Sequence, residues 1–311
     1  MKILLLDKNH PLITEQLSAN GFLLEEDFTS TYDEVLKKIE TYDGIIIRSR
    51  IPIDKNFIEH AKNLKFIARV GAGMENIDVE FAQKSGIKLI SSPEGNRDSV
   101  AEHVVGMLLI LMNRLFIAST EVKNGIWKRE DNRGDELLGK TFGIIGYGNM
   151  GKAVAKRLSG FGVSVIFHDI IHNLSDEFAT QTTMDTLYRD ADILSLHLPL
   201  SPETNYLIDE EFISKMKKDF YFINTARGKN VKTQDLIKAI KSGKIKGAAL
   251  DVLEYEKASF ENIESGNEDL QYLLHSEKAI LTPHIAGWTV QSKEKLAQVI
   301  VDKILSDFSK S

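Results

Sequence analysis

The chain contains no cysteine. Disulfides, thiolate metal sites and a cysteine nucleophile are therefore excluded, and a reducing compartment fits that composition. Long hydrophobic runs are also missing. The longest, Val104–Met112, falls far short of the roughly 20 residues that cross a bilayer. At the N-terminus, MKILLLDKNHP meets a charge at Asp7, too early for the apolar segment of a signal peptide. There is no excess of positive charge: 39 Lys+Arg against 45 Asp+Glu leave a formal net charge of −6, which argues against general nucleic-acid binding. Short repeats and low-complexity tracts are absent. The remaining composition is ordinary, 42% hydrophobic and 27% charged, which excludes a disordered or collagen-like chain. At about 100–200 residues per domain, the length suggests two domains of a soluble, cytoplasmic protein.

Short apolar runs alternate with amphipathic stretches along nearly the whole chain. The runs are Lys2–Leu6, Gly44–Ile47, Phe66–Val70, Lys88–Ser91, Thr141–Gly146, Val163–His168, Asp192–His197, Phe220–Asn224, Gly247–Val252 and Ala279–Thr282. Most are continuous rather than alternating, the pattern of parallel strands buried on both faces. Ile53–Lys62, Met150–Ser159 and Thr233–Ser242 have helical spacing, so an α/β, doubly wound architecture follows. Asn96–Arg114 reads as a long helix, apolar around most of its circumference and therefore buried centrally or at a subunit interface. KNGIWKREDNRGDELLGK reads as polar surface chain, Lys257–Gln271 as a second irregular segment, and Val290–Phe308 as a terminal helix.

The strongest local signal is KTFGIIGYGNMGKAVAKRLSGFGVSVIFHD. Gly146, Gly148 and Gly151 form G-x-G-x-x-G between a strand and a helix. The first two permit a tight turn and close approach of a pyrophosphate, and Gly151 lets helix and strand pack closely. The helix start, with Asn149 and Met150, presents free N–H groups to phosphates. Asp169 stands 18 residues after Gly151 at the end of the next strand, placed to bond ribose hydroxyls and repel a 2′-phosphate. NAD is thus favoured over NADP. Tyr147 and His168 are expected to pack around the cofactor.

Three further segments end predicted strands: FINTARGKNV, GAALDVLEYEK and AILTPHIAGWT. With the glycine loop, in this order and spacing, the chain resembles the D-isomer-specific 2-hydroxyacid dehydrogenases over essentially its whole length. The resemblance implies two doubly wound parallel-sheet domains, a flavodoxin-like substrate domain and a Rossmann NAD-binding domain, with a cleft between them. Residues 1–98 and 286–311 would form the substrate domain and 99–285 the NAD domain. It also implies a catalytic set of Arg227, Glu256 and His284. Arginine suits a carboxylate or the C2 oxygen, the histidine suits acid–base work near neutral pH, and the glutamate would orient the imidazole and favour its protonated form. Asp251, Thr225, Ala226, Ser99 and Gly287 fall at cofactor-facing positions of the family. One departure is Lys257, where the family usually has proline after the glutamate, followed by an insertion over Ser259–Leu274.

At the substrate end, the family pattern makes the backbone N–H groups of Val70, Gly71 and Ala72 a nest for the substrate carboxylate. Arg48 and Arg69 end neighbouring strands, and the match resembles the 3-phosphoglycerate dehydrogenase branch, where arginines at these places meet the substrate phosphate. GIWKRE adds Arg129, contributed across a dimer. The resemblance implies a homodimer, formed through Val100–Leu115 and the Trp127 loop. No metal is expected, because histidines and carboxylates show no ligand spacing. The substrate reading is 3-phosphoglycerate and 3-phosphohydroxypyruvate, in serine biosynthesis. Glyoxylate or hydroxypyruvate reduction is the alternative within the class, and an NAD-sensing, corepressor-like binding protein the alternative outside it. The complete Arg227, Glu256 and His284 set weighs against the sensor. The C-terminus at Ser311 leads to the expectation that the C-terminal regulatory domain of longer relatives is missing.

Overall fold

The computed structural model describes residues 1–256 and 267–309. The chain folds as two compact units, one formed by Met1–Arg97 with Trp288–Ser311 and the other by Asp98–Gly287.

The first unit holds β1 (Lys2–Leu5), α1 (Leu12–Ala19), β2 (Leu23–Glu26), α2 (Tyr32–Leu36), β3 (Gly44–Ile47), α3 (Lys55–His60), β4 (Phe66–Arg69), α4 (Val79–Lys84) and β5 (Lys88–Ser91). Its sheet is parallel throughout, in the order β2-β1-β3-β4-β5, the doubly wound flavodoxin-like order. Alternate side chains feed two cores, which explains the unbroken apolar runs. Leu4, Ile45, Ile47 and Ile67 pack with Phe57 and Ile58 of α3. Ile3, Leu5, Ile46 and Ala68 pack with Ile13 and Leu17 of α1 and with Leu296, Ile300 and Ile304 near the C-terminus.

The long α5 (Pro93–Met112) crosses the boundary at Arg97. It is followed by α6 (Leu115–Lys123), β6 (Thr141–Ile145), α7 (Asn149–Leu158), β7 (Ser164–His168), β8 (Thr180–Gln181), α8 (Met184–Asp190), β9 (Ile193–Leu196), α9 (Glu210–Lys215), β10 (Phe220–Asn224), α10 (Thr233–Ser242), β11 (Ile245–Leu250), α11 (Glu268–His275) and β12 (Ala279–Leu281). The final α12 (Val290–Phe308) belongs to the first unit. The second sheet is also parallel, in the order β12-β11-β10-β9-β6-β7-β8. Its order reverses between β6 and β9, the kind of switch point at which open α/β sheets bind ligands. One face packs on Val104, Leu108 and Met112 of α5 and Val154 and Leu158 of α7. The other packs on Phe212, Ile213, Leu236, Ile237 and Ile240.

Four elements depart from the sequence reading. β2 and β8 are edge strands, too short and too polar to show as apolar runs. The long helix does not reach Arg114: it ends at Met112, and Arg114 turns left-handed with φ +52° before α6 begins. The segment expected to be irregular to Gln271 is helical from Glu268, capped by Asn267, whose side chain accepts from the N–H groups of Asp269 and Leu270. Leu270 and Leu273 supply its buried side. Lys257 and residues 258–266, including the first half of the Ser259–Leu274 insertion, lie outside the described residues. Among the described residues, no single helix is long and apolar enough to cross a membrane.

Candidate active site

The glycine loop sits at the switch point of the second sheet. Gly146 has φ +91°, and a Cβ there would lie 2.5 Å from the His197 carbonyl oxygen at the end of β9. At Gly151 a Cβ would come within 2.3 Å of the Gly146 oxygen, so the first turn of α7 packs directly on the loop. Gly148 caps α7 without a side chain, and a Cβ there would meet nothing within 4 Å among the described residues. Gly148 and Asn149 are exposed, and Met150 is partly so. The first N–H groups of α7 thus face open space, the arrangement that receives a phosphate. Asp169 follows β7, where its carboxylate accepts from the Tyr147 N–H at 2.6 Å and the Ile171 N–H at 2.9 Å. It is locked beside the loop with acceptor capacity left on both oxygens.

Tyr147 does not pack around a cofactor position. It is buried, stacked on Phe167 at 3.7 Å between centroids, with its hydroxyl donating to Asp176. A large flat side chain between two glycines fills the domain core below the loop. His168 places Nδ1 3.3 Å from the Thr182 carbonyl.

Two buried polar atoms at the ends of neighbouring strands have no partner among the described residues: Thr225 Oγ1 after β10 and His197 Nδ1 after β9. Such atoms are costly unless something satisfies them. With the open α7 terminus and Asp169, they fit a bound dinucleotide. His197 was not singled out in the sequence. Its Nε2 lies 3.0 Å from Ser195 Oγ, and burial pushes the imidazole down to about 3. The folded chain therefore holds it neutral, while the unfolded chain titrates it near the ordinary value of about 6.5. Between those values the unfolded state binds the extra proton, so this histidine makes stability fall as pH falls below about 6.5. Urea midpoints measured at about pH 7 and about pH 5 should drop further in the wild type than in His197→Gln. Equal drops would show that His197 is not the group responsible.

After β10 the chain turns on Asn224, itself buried. Its Oδ1 accepts from the Ala226 N–H at 3.0 Å and its Nδ2 donates to the Arg227 carbonyl at 2.9 Å. Asn230 accepts from the Arg227 N–H at 3.1 Å. These two asparagines, unremarked in the sequence, fix the stretch carrying Thr225, Ala226 and Arg227.

His284 has φ +55°, a left-handed backbone unusual for a residue with a Cβ. Its N–H donates to the Asp251 carbonyl at 2.8 Å, and its Nδ1 lies 2.8 Å from Glu256 Oε2. The other carboxylate oxygen of Glu256 accepts from the Leu253 N–H, which fixes the glutamate in turn. Asp251 is buried. Its carboxylate accepts from the Thr282 hydroxyl at 2.5 Å and from the N–H groups of Ile285 and Ala286 at 2.9 Å each. It therefore builds the turn that presents His284. The Ser99 hydroxyl donates to the Ala286 carbonyl at 2.6 Å, also supporting that turn. Gly287 closes it.

The substrate residues expected in the first unit are arranged differently from the sequence reading. The Val70 N–H donates to the Ile47 carbonyl and the Gly71 N–H to Ser92 Oγ at 3.0 Å. Both donors stitch strand ends together, so a nest of Val70, Gly71 and Ala72 is not formed. Arg48 donates its N–H to Asp7, and its guanidinium lies 4.2 Å over the Trp288 ring. Arg69 ends β4, paired in register with Ile47, the residue that precedes Arg48 on the neighbouring strand. Arg50 donates from all three guanidinium nitrogens to the carbonyls of Leu6, Ser30 and Asp27 and is a structural cation. Arg129 is in the exposed chain of the second unit after α6.

Residues 105–286 match the D-isomer specific 2-hydroxyacid dehydrogenase, NAD binding domain. A hydroxypyruvate reductase of Thermotoga maritima is 37% identical over 275 residues, covering 88% of each chain. A D-3-phosphoglycerate dehydrogenase of Archaeoglobus fulgidus is 34% identical over 311 residues, 98% of this chain but 57% of that one. Among solved structures, D-lactate dehydrogenase from Aquifex aeolicus, complexed with NAD and lactic acid, superposes with a TM-score of 0.84 at 29% identity, covering 99% of this chain and 96% of that one. A family match over more than half of the chain, a relative alike along nearly its whole length, and a switch-point loop shaped for a dinucleotide all agree: the chain belongs to the D-isomer specific 2-hydroxyacid dehydrogenase family and carries its NAD-binding domain.

Proposed function

We propose that the chain interconverts 3-phosphoglycerate and 3-phosphohydroxypyruvate, with Arg227, Glu256 and His284 as its catalytic set. The observation that carries the acid–base assignment is the 2.8 Å contact between His284 Nδ1 and Glu256 in a turn anchored by Asp251. With Nδ1–H held by the glutamate, the proton exchanged with the C2 oxygen is the one on Nε2. In reduction His284 donates it, and in oxidation His284 takes it from the hydroxyl. Glu256 stabilises the imidazolium and keeps the ring oriented. Arg227 is permanently charged and holds the substrate carboxylate or carbonyl oxygen in planar geometry. Gly146, Gly148, Asn149, Met150 and Gly151 would cradle the pyrophosphate of NAD and Asp169 its ribose, with Thr225, Ala226, Asp251, Ser99 and Gly287 bordering the nicotinamide end. Bound nicotinamide supplies or accepts the hydride at C2.

Arg48 and Arg69, on adjacent parallel strand ends, support a phosphorylated substrate, because two forked cations suit a dianion. Hydroxypyruvate or glyoxylate is the second reading. It is favoured by the hydroxypyruvate reductase similar over 88% of both chains. Arg48→Ala should raise KM for phosphohydroxypyruvate by about 10-fold or more, since a charge-assisted bond contributes about 1.5–3 kcal/mol, while changing KM for hydroxypyruvate little. Steady-state assays with both acids decide. An unchanged KM for the phosphorylated acid places the phosphate elsewhere, and comparable wild-type efficiency on glyoxylate favours the second reading.

The chain would act in serine biosynthesis as a cytoplasmic homodimer. α6 has no buried residue, and Leu115, Phe116, Val122 and Trp127 are all exposed, Trp127 by 83%. An apolar face of this kind suits a second copy, and it would bring the chain carrying Arg129 to the partner.

A further inference from the structure

Ser99, His103 and Met107 recur every four residues of α5 and so lie along one face of that helix. All three meet the turn that carries His284. Ser99 bonds the Ala286 carbonyl, Met107 Sδ lies 3.9 Å from Thr282 Oγ1, and His103 Nε2 lies 3.1 Å from the same oxygen. The same His103 nitrogen is 3.6 Å from Asp251 Oδ1. The proton positions follow from chemistry. Thr282 has one hydroxyl proton, and the 2.5 Å contact with the Asp251 carboxylate takes it. Thr282 can therefore only accept from His103, which carries its proton on Nε2. The result is a directed chain from His103 N–H to Thr282 O–H to the Asp251 carboxylate, which also accepts from the backbone N–H groups of Ile285 and Ala286. Such chains polarise and stiffen their members.

We propose that His103 is a positioning residue for proton transfer at His284, acting through Thr282 and Asp251. The inference rests on the reading of His284 as the acid–base group. A left-handed backbone at His284 persists only where its surroundings over-determine it, and Asp251 supplies those bonds. Without the His103 N–H, the Thr282 hydroxyl is no longer held from behind and can rotate away from Asp251. The carboxylate then loses a donor, and the turn relaxes and shifts His284 relative to Glu256, while the glycine loop keeps its own contacts.

The test compares His103→Leu with His103→Gln, whose amide N–H reaches the position of Nε2–H. The assay uses NADH and whichever of phosphohydroxypyruvate, hydroxypyruvate and glyoxylate the wild type reduces fastest. His103→Leu should lower kcat by about 10-fold or more, because small displacements of a catalytic group are costly. KM and the NADH Kd should stay within about twofold, and His103→Gln should restore kcat to within about threefold of wild type. The proposal is overturned by wild-type kcat in His103→Leu, by His103→Gln as slow as His103→Leu, or by losses shared equally among kcat, KM and NADH affinity. His284→Ala run alongside separates the two levels. If it is inactive while His103→Leu is unimpaired, only the role of His103 fails. If it keeps full activity, the acid–base assignment fails and the role of His103 with it.

Discussion

His284→Ala is expected to lower kcat by about 10²–10⁴-fold, the usual contribution of a positioned acid–base group. NADH affinity should change little, because the glycine loop, Asp169 and the strand ends that fit the dinucleotide remain intact. The fold should also survive. His284 is only half-buried, and the backbone bonds that hold its left-handed conformation run from its own N–H and from Asp251, independent of the imidazole. Glu256→Gln should follow with a smaller loss, since an amide still reaches Nδ1 but cannot stabilise the imidazolium by charge. Stopped-flow traces with saturating NADH separate the outcomes: slow chemistry after normal cofactor binding is the predicted pattern. Full-speed reduction by His284→Ala would remove the histidine from the mechanism.

Gly151→Ala carries the other large expected effect. The added methyl would sit 2.3 Å from the Gly146 oxygen and 3.3 Å from Ile144 Cγ2, and backbone cannot yield as a flexible side chain does. Overpacking of this kind costs about 1–3 kcal/mol. The relief open to the chain is to push α7 away from the end of β6, which moves the N–H groups that would meet the pyrophosphate. A loss of NADH affinity of about 10-fold or more should accompany a lower melting temperature, tenfold corresponding to about 1.4 kcal/mol. Gly148→Ala separates the two components, since a Cβ there meets nothing within 4 Å among the described residues. It should melt like the wild type and still bind NADH more weakly. Fluorescence titration with NADH and a melting curve on each variant measure both, and an unaltered Kd in Gly151→Ala would show that the loop does not depend on this packing.

Central strands were legible because burial on both faces forces unbroken apolar runs. β2 and β8 were not, since an edge strand needs no such run: Leu23 in β2 is two-thirds exposed. The break after Met112 depends on Arg114 adopting a left-handed turn, which nothing in its residue type announces. Residue types with fixed spacing, such as the three glycines and Asp169, do come together at one loop in the fold. Hydrogen-bond assignments were not legible. The Val70 and Gly71 N–H groups look available until the partners from β3 and Ser92 are in place, and Tyr147 looks ligand-facing until Phe167 lies beneath it. Asp251, Thr282 and His103 come from three distant stretches of chain, and only folding makes them one network.

Hydride transfer from NADH to C2 of a 2-oxo acid is what the proposed catalytic set would perform. It is tested by following the absorbance of NADH when purified protein is mixed separately with phosphohydroxypyruvate, hydroxypyruvate and glyoxylate, with the configuration determined for any chiral product. The predicted result is steady NADH oxidation, fastest with phosphohydroxypyruvate and yielding the D-hydroxy acid. Tight NADH binding with no turnover of any of the three, or formation of an L-hydroxy acid, would contradict it.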